Sequence, residues 1–187
     1  MVKLISEKIS YKKSNEGLQV IILGKIERWK EALLTAWLLA WIFCGGVVLN
    51  EYLVAVDRER RMVFIIFLIF WAYYLWRVGK TWMFRRGGNE LIKVTEYEIV
   101  LKRSFFTFGN SKHYRIDQLE EFKKIEISKT SFAYTFENAW WVLGGERLGF
   151  SYGSKFVKFG MQLSDTETNQ LYDLIKKQIK KAKKSDL

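Results

Sequence analysis

Ala32–Leu49 reads ALLTAWLLAWIFCGGVVL, and Met62–Trp76 reads MVFIIFLIFWAYYLW. The first stretch is 18 residues without a charge. As a helix rising about 1.5 Å per residue it is roughly 27 Å long, close to the roughly 30 Å hydrocarbon core of a bilayer. The second stretch admits Arg77 and continues to Phe84; counted from Met62 to Trp82 it gives 21 residues. An arginine near a helix end carries its guanidinium to the headgroups along an apolar stem. Neither stretch has a polar face, which a helix buried in a soluble domain of this size would show. The charged, strand-like residues ahead of Ala32 also make a cleaved signal peptide a poor fit. We therefore expect a transmembrane helical hairpin over residues 29–86, with spans of about 30–50 and 62–82.

Flanking charge sets the expected orientation. Lys25, Arg28 and Lys30 precede the first span, and Arg77, Lys80, Arg85 and Arg86 end the second. The connection carries Arg58, Arg60 and Arg61. Two basic flanks outweigh one, so both termini are expected in the cytoplasm of a multi-pass protein. Trp29 and Trp82 then fall at the same interface, where amphipathic rings are favoured. Ala32, Ala36, Ala40 and Cys44 recur every four residues, a small face that lets a neighbouring backbone approach. Its expected contact is the bulk of Phe64, Phe67, Phe70, Trp71 and Tyr74; self-association through the same face is the rival reading. Cys44 reads as a small apolar residue, not a reactive thiol.

Outside the hairpin the pattern is antiparallel β. KLISEKISYKK and LQVIILGKI, separated by Ser14-Asn15-Glu16-Gly17, predict an N-terminal β-hairpin over residues 1–28. RRGGNE after Phe84 reads as a linker. ELIKVT, EYEIVLKRSFF, KHYRI, FKKIEIS, RLGFSYG and KFVKFGMQL follow as short strand candidates, with turns at Gly109-Asn110 and Gly153-Ser154. Ser164-Asp165-Thr166-Glu167 has the capping-box form, and Leu171, Leu174, Ile175, Gln178, Ile179 and Ala182 line one side of a final helix. The fold class expected is α+β: the membrane hairpin plus an antiparallel β-sandwich or roll over residues 87–184, closed by a C-terminal amphipathic helix.

ELIKVTEYEIVLKRS, HYRIDQLEEF and LGFSYGSKFVKFGMQLSDTETNQLYDLIKKQI resemble a bacterial pleckstrin-homology-like (PH-like) domain. With LQVIILGKIERWKEALLTAWLLAW, the whole chain is similar to uncharacterised bacterial integral membrane proteins that place a Trp-rich helical hairpin before such a domain. The resemblance implies a fold and a location at the bacterial inner membrane, and no activity. Eukaryotic relatives of this fold bind lipid headgroups through a basic loop between the first two strands. The junction read here as that loop is the acidic Thr95-Glu96-Tyr97-Glu98.

Reactive chemistry is sparse. One Cys and one His exclude a disulfide framework and every zinc site built from Cys and His alone. No nucleotide-binding glycine loop, HExxH or CxxC occurs. His113 stands in a strand candidate beside Tyr114 with no nucleophile-and-acid pair read around it, so no catalytic residue, metal or cofactor is expected. The net charge of +11 is spread evenly, with +4 over residues 1–30, +3 over 31–86 and +4 over 87–187. That pattern suits attraction to anionic headgroups better than a nucleic-acid groove. SFAYTFENAWWVLGG reads either as core filling or as a partner surface carried by Trp140 and Trp141. The function expected is a membrane-anchored, non-enzymatic docking or regulatory module. A subunit or assembly factor of a membrane complex, and a lipid-active enzyme, are the rivals.

Overall fold

A computed structural model describes residues 2–105, 108–125, 139 and 141–185. Among the described residues, nine strands and three helices run in the order β1 (Val2–Leu4), β2 (Ile9–Ser14), β3 (Gly17–Leu23), α1 (Arg28–Val54), α2 (Arg58–Gly87), β4 (Gly88–Val94), β5 (Glu98–Phe105), β6 (Ser111–Arg115), β7 (Leu119–Lys124), β8 (Glu146–Tyr152), β9 (Lys155–Met161) and α3 (Asp165–Ser185). The chain divides into a sheet unit and a helical unit, the latter comprising Ile26–Arg85 with Trp141 and Val142.

The sheet unit holds a six-stranded antiparallel sheet, β1-β2-β3-β4-β5-β6, and a three-stranded one, β7-β8-β9. β2 and β3 form the expected N-terminal hairpin, with Ser14 opposite Gly17. That hairpin is no separate piece, because β3 pairs with β4 from Leu18↔Val94 to Leu23↔Asn89. Strands on either side of residues 29–86 thus share one sheet. Alternation explains it: Leu18, Val20 and Ile22 on β3 and Ile92 and Val94 on β4 are all buried on one face. The segment read as a linker is absent as such. α2 ends at Gly87, β4 begins at Gly88, and the Gly24 amide donates to the Gly88 carbonyl at 2.9 Å.

Phe150, Phe159 and Leu148 from the small sheet pack with Leu171, Ile175, Ile179 and Ala182 of α3 into the same core. Each fully buried Leu, Ile or Phe side chain contributes roughly 1.5–3 kcal/mol relative to exposure. The capping box forms as read. The Ser164 amide donates to Glu167 Oε2 at 2.9 Å, and the Glu167 amide to Ser164 Oγ at 3.2 Å. The two sheets remain separate and do not close into a roll. The outer edge of β7 is blunted instead: Lys183 Nζ donates to the Leu119 carbonyl at 2.7 Å, and the Tyr172 hydroxyl to that of Phe122 at 3.4 Å.

In the helical unit, α1 has 27 residues and α2 has 30, joined by Ala55–Asp57 alone. Both outrun the apolar runs that predicted them. Glu51, Glu59, Arg60 and Arg61 are polar but form helices well, so the helices extend past their apolar cores. The turn is fastened by Arg61, whose Nε donates to the Ala55 carbonyl at 2.7 Å.

Candidate functional site

The helical unit carries most of the residues singled out from sequence. One series of buried or half-buried positions on α1 runs through Leu34, Leu38, Trp41, Gly45 and Val48, and one on α2 through Phe64, Leu68, Trp71, Leu75, Val78 and Trp82. The steps of four and three repeat every seven residues, the period of helices packed at a shallow left-handed angle. Ala32, Ala36, Ala40 and Cys44 are exposed, so the expected alanine contact is not the one that forms. Gly45 is the small residue in the contact: a Cβ added there would lie 2.0 Å from Trp71 Cε2. Spacing by four drifts around the helix, whereas the alternating four-and-three series stays on one side.

Hydrogen bonds between the helices come from indoles. Trp41 Nε1 donates to the Trp71 carbonyl at 3.2 Å, and Trp71 Nε1 donates to the Trp41 carbonyl at 2.7 Å. Trp82 Nε1 donates to Thr35 Oγ1 at 2.9 Å, and Thr35 in turn donates to the Glu31 carbonyl at 2.8 Å. An unpaired N–H costs most where water is absent, so these bonds favour one register among many similar apolar ones.

The flanking residues divide in their surroundings. Lys25, Arg28, Trp29, Arg77, Lys80 and Arg86 are exposed, while Lys30 is half-buried. Glu27 gathers two of them, accepting from Trp29 Nε1 at 2.6 Å and from Lys30 Nζ at 2.9 Å. Arg77 reaches the Tyr73 hydroxyl at 3.2 Å. Arg85 differs: it is 4% exposed and donates to the Val142 carbonyl at 3.2 Å, so its side chain does not stand in solvent. Trp141 is 43% exposed; Trp140 and the rings before it lie outside the described residues.

Two polar groupings escaped the sequence reading. Glu90 is 2% exposed. Its Oε1 accepts from Arg103 Nε at 3.0 Å, and its Oε2 accepts from the Gly160 and Met161 amides at 2.9 and 3.2 Å. Arg103 also reaches Glu146 at 2.9 Å. One carboxylate thus links β4 and β5 of the large sheet to β9 of the small one. Burial alone disfavours a charged Arg103, but Glu90 and then Glu146 outweigh it and hold the guanidinium pKa above its ordinary value. The signal was present in the strands. Glu90 continues the inward phase of Ile92 and Val94, and Arg103 that of Ile99 and Leu101.

The second grouping surrounds His113. Pairing of β5 with β6 places Glu98 Oε2 2.9 Å from His113 Nδ1, and Ser111 Oγ lies 3.2 Å from Nε2. A carboxylate that orients an imidazole beside a hydroxyl is the arrangement that activates a serine. Here Ser111 and His113 are exposed on β6, the last strand of the sheet, and Glu98 is half-buried at the start of β5. Among the described residues no cluster of His, Cys, Asp and Glu is suited to hold a metal ion. Compared with known proteins, the chain matches no family model, no curated protein and no solved structure.

Proposed function

We propose that the chain is an integral membrane protein whose sheet unit serves as a non-enzymatic docking or regulatory module at the cytoplasmic face of a bacterial inner membrane. The observation that carries the reading is the exposure of the two long apolar helices. Only 17% of the most apolar window of α1 and 6% of that of α2 is buried. A core helix of a soluble protein would be mostly covered. Leu39, Phe43, Phe70 and Trp76 stand 63–74% exposed, a cost in water that hydrocarbon removes.

The architecture assigned to the sheet unit is PH-like. In support, β4 and β5, the Ile116-Asp117-Gln118 turn, the edge strand β7, the β8–β9 hairpin and the capped α3 follow the order that the resemblance implies. The first sheet begins earlier than the resemblance suggested. Where a headgroup-binding loop would join strands of such a sheet, the β3–β4 junction carries the helical hairpin. Anchoring then takes the place of reversible headgroup binding.

Reporter fusions test the topology. Activity of a periplasm-dependent reporter at Asp57 and of a cytoplasm-dependent one at Leu187 is expected; the reverse pattern overturns it. The Glu98–His113–Ser111 geometry favours a second reading, hydrolysis through Ser111. A fluorophosphonate probe that labels the intact protein but not Ser111→Ala would establish it, and absence of labelling would remove it.

A further inference from the structure

Arginines and lysines of the strands are used differently. Arg103 pairs with Glu90 and Glu146, Arg115 with Asp117, and Arg147 with Asp165. Beside β7 the cations are lysines, and two of them meet neutral groups. Lys124 Nζ donates to Asn169 Oδ1 at 2.6 Å and lies 4.9 Å from the centre of the Tyr172 ring. Lys176 Nζ donates to the Tyr172 hydroxyl at 3.1 Å and lies 5.0 Å from the same ring. Phe122 stacks on that ring with centroids 4.9 Å apart. Two ammonium groups therefore share one tyrosine, and among the described residues neither is paired with a carboxylate. A third, Lys123, sits 5.3 Å from the Phe156 ring and is paired with Glu121 at 2.9 Å.

Lys123, Lys124, Ile125, Phe156 and Tyr172 line one open groove, and Lys176 stands at its Tyr172 side, on that residue's hydroxyl. Gly149 makes room in it, because a Cβ there would lie 2.6 Å from Phe156. Phe156 is 38% exposed, which gives the groove an apolar wall beside its cations. On α3, Lys177, Lys180 and Lys181 continue the positive surface, and Asp173 is the acid nearest Tyr172 in sequence.

We propose that this groove binds a phosphate ester, with the phosphate between Lys124 and Lys176 and an apolar organic part against Phe156 and Ile125. Lysine ammonium groups bind phosphate as point charges; the arginine fork matches phosphate and carboxylate alike, but Arg103, Arg115 and Arg147 are already engaged by carboxylates. A bound anion would also relieve the repulsion between two cations held on one ring.

Lysine reactivity tests the site residue by residue. The full chain in zwitterionic nanodiscs is acetylated with and without phenyl phosphate, and each lysine is read by mass spectrometry. Millimolar phenyl phosphate is expected to slow Lys124 and Lys176 at least threefold relative to sodium chloride of equal ionic strength. Lys8 and Lys102, both outside the groove, are expected to keep their rates. A parallel arm replaces part of the nanodisc lipid with an anionic phospholipid. Protection only there identifies the ester as a headgroup; protection by phenyl phosphate identifies a soluble ester. In the double variant Lys124→Gln, Lys176→Gln, protection of Lys123 by the effective probe should need at least tenfold more of it. Equal protection by chloride, no protection in either arm, or an unshifted titration in the double variant overturns the proposal.

Discussion

The two units specify their geometry with opposite polar groups. In the helical unit, indole N–H groups donate to backbone carbonyls across the α1–α2 contact. In the sheet unit, a buried carboxylate accepts from backbone amides across two sheets. Apolar packing surrounds both, and apolar packing alone discriminates poorly between neighbouring registers. The difference lies in what failure costs. Losing an indole bond leaves a neutral donor unpaired, whereas losing the partner of Glu90 leaves a charge in the core.

Breaking the carboxylate link should have the largest effect. Arg103→Met leaves Glu90 buried without its cation, and we expect about 3–5 kcal/mol of lost stability in denaturant titration of the sheet unit's strands. The double variant Glu90→Met, Arg103→Met should recover most of that loss, because two apolar groups then replace the pair. In the helical unit, Gly45→Leu drives a side chain into Trp71, and about 1–3 kcal/mol is expected from overpacking. Helix-pairing equilibria in mild detergent would read it. Ser164→Ala removes half of the capping box at about 1 kcal/mol, seen as a lower thermal midpoint. Trp71→Phe keeps the ring but loses the N–H, at about 0.6 kcal/mol by the same helix-pairing measurement.

The smallest effect is a pH dependence. Burial opposes ionisation of Glu167, but hydrogen bonds from Ser6 and Ser164 and the charge of Lys8 outweigh it, so its carboxyl titrates below the ordinary range. A depressed acid stabilises the fold above its unfolded pKa, near 4.3, and that contribution fades as pH falls through the lower folded value. Relative to Glu167→Gln, the unfolding midpoint of the wild-type chain should therefore fall between about pH 5 and pH 3. Parallel curves would contradict the assignment.

Much of this was legible in the residues, for reasons that differ by element. The capping box at Ser164 and the alternation of β3 and β4 depend on near neighbours in the chain, so short-range pattern suffices. The contact between α1 and α2 does not. All-round apolarity hides which side faces the partner, and a stripe of four alanine-spaced residues looked better than the series through Gly45. Glu90 and Arg103 were readable in principle, as charges on the inward phase of two strands. The triad at His113 was not, since Glu98 reaches it only through the register of β5 on β6. The lysines around Tyr172 likewise come from β7 and α3, far apart in the chain.

The pairing of Leu23 with Asn89 carries an unusual implication for engineering. The ladder regards everything from Gly24 to Gly87 as a single bend, and its ends already stand at ordinary backbone hydrogen-bonding distance. Excising that guest and splicing in an Asn-Gly reverse turn should leave a miniature that dissolves without surfactant. Such a miniature would make the remainder of the polypeptide accessible to crystals, magnets and calorimeters.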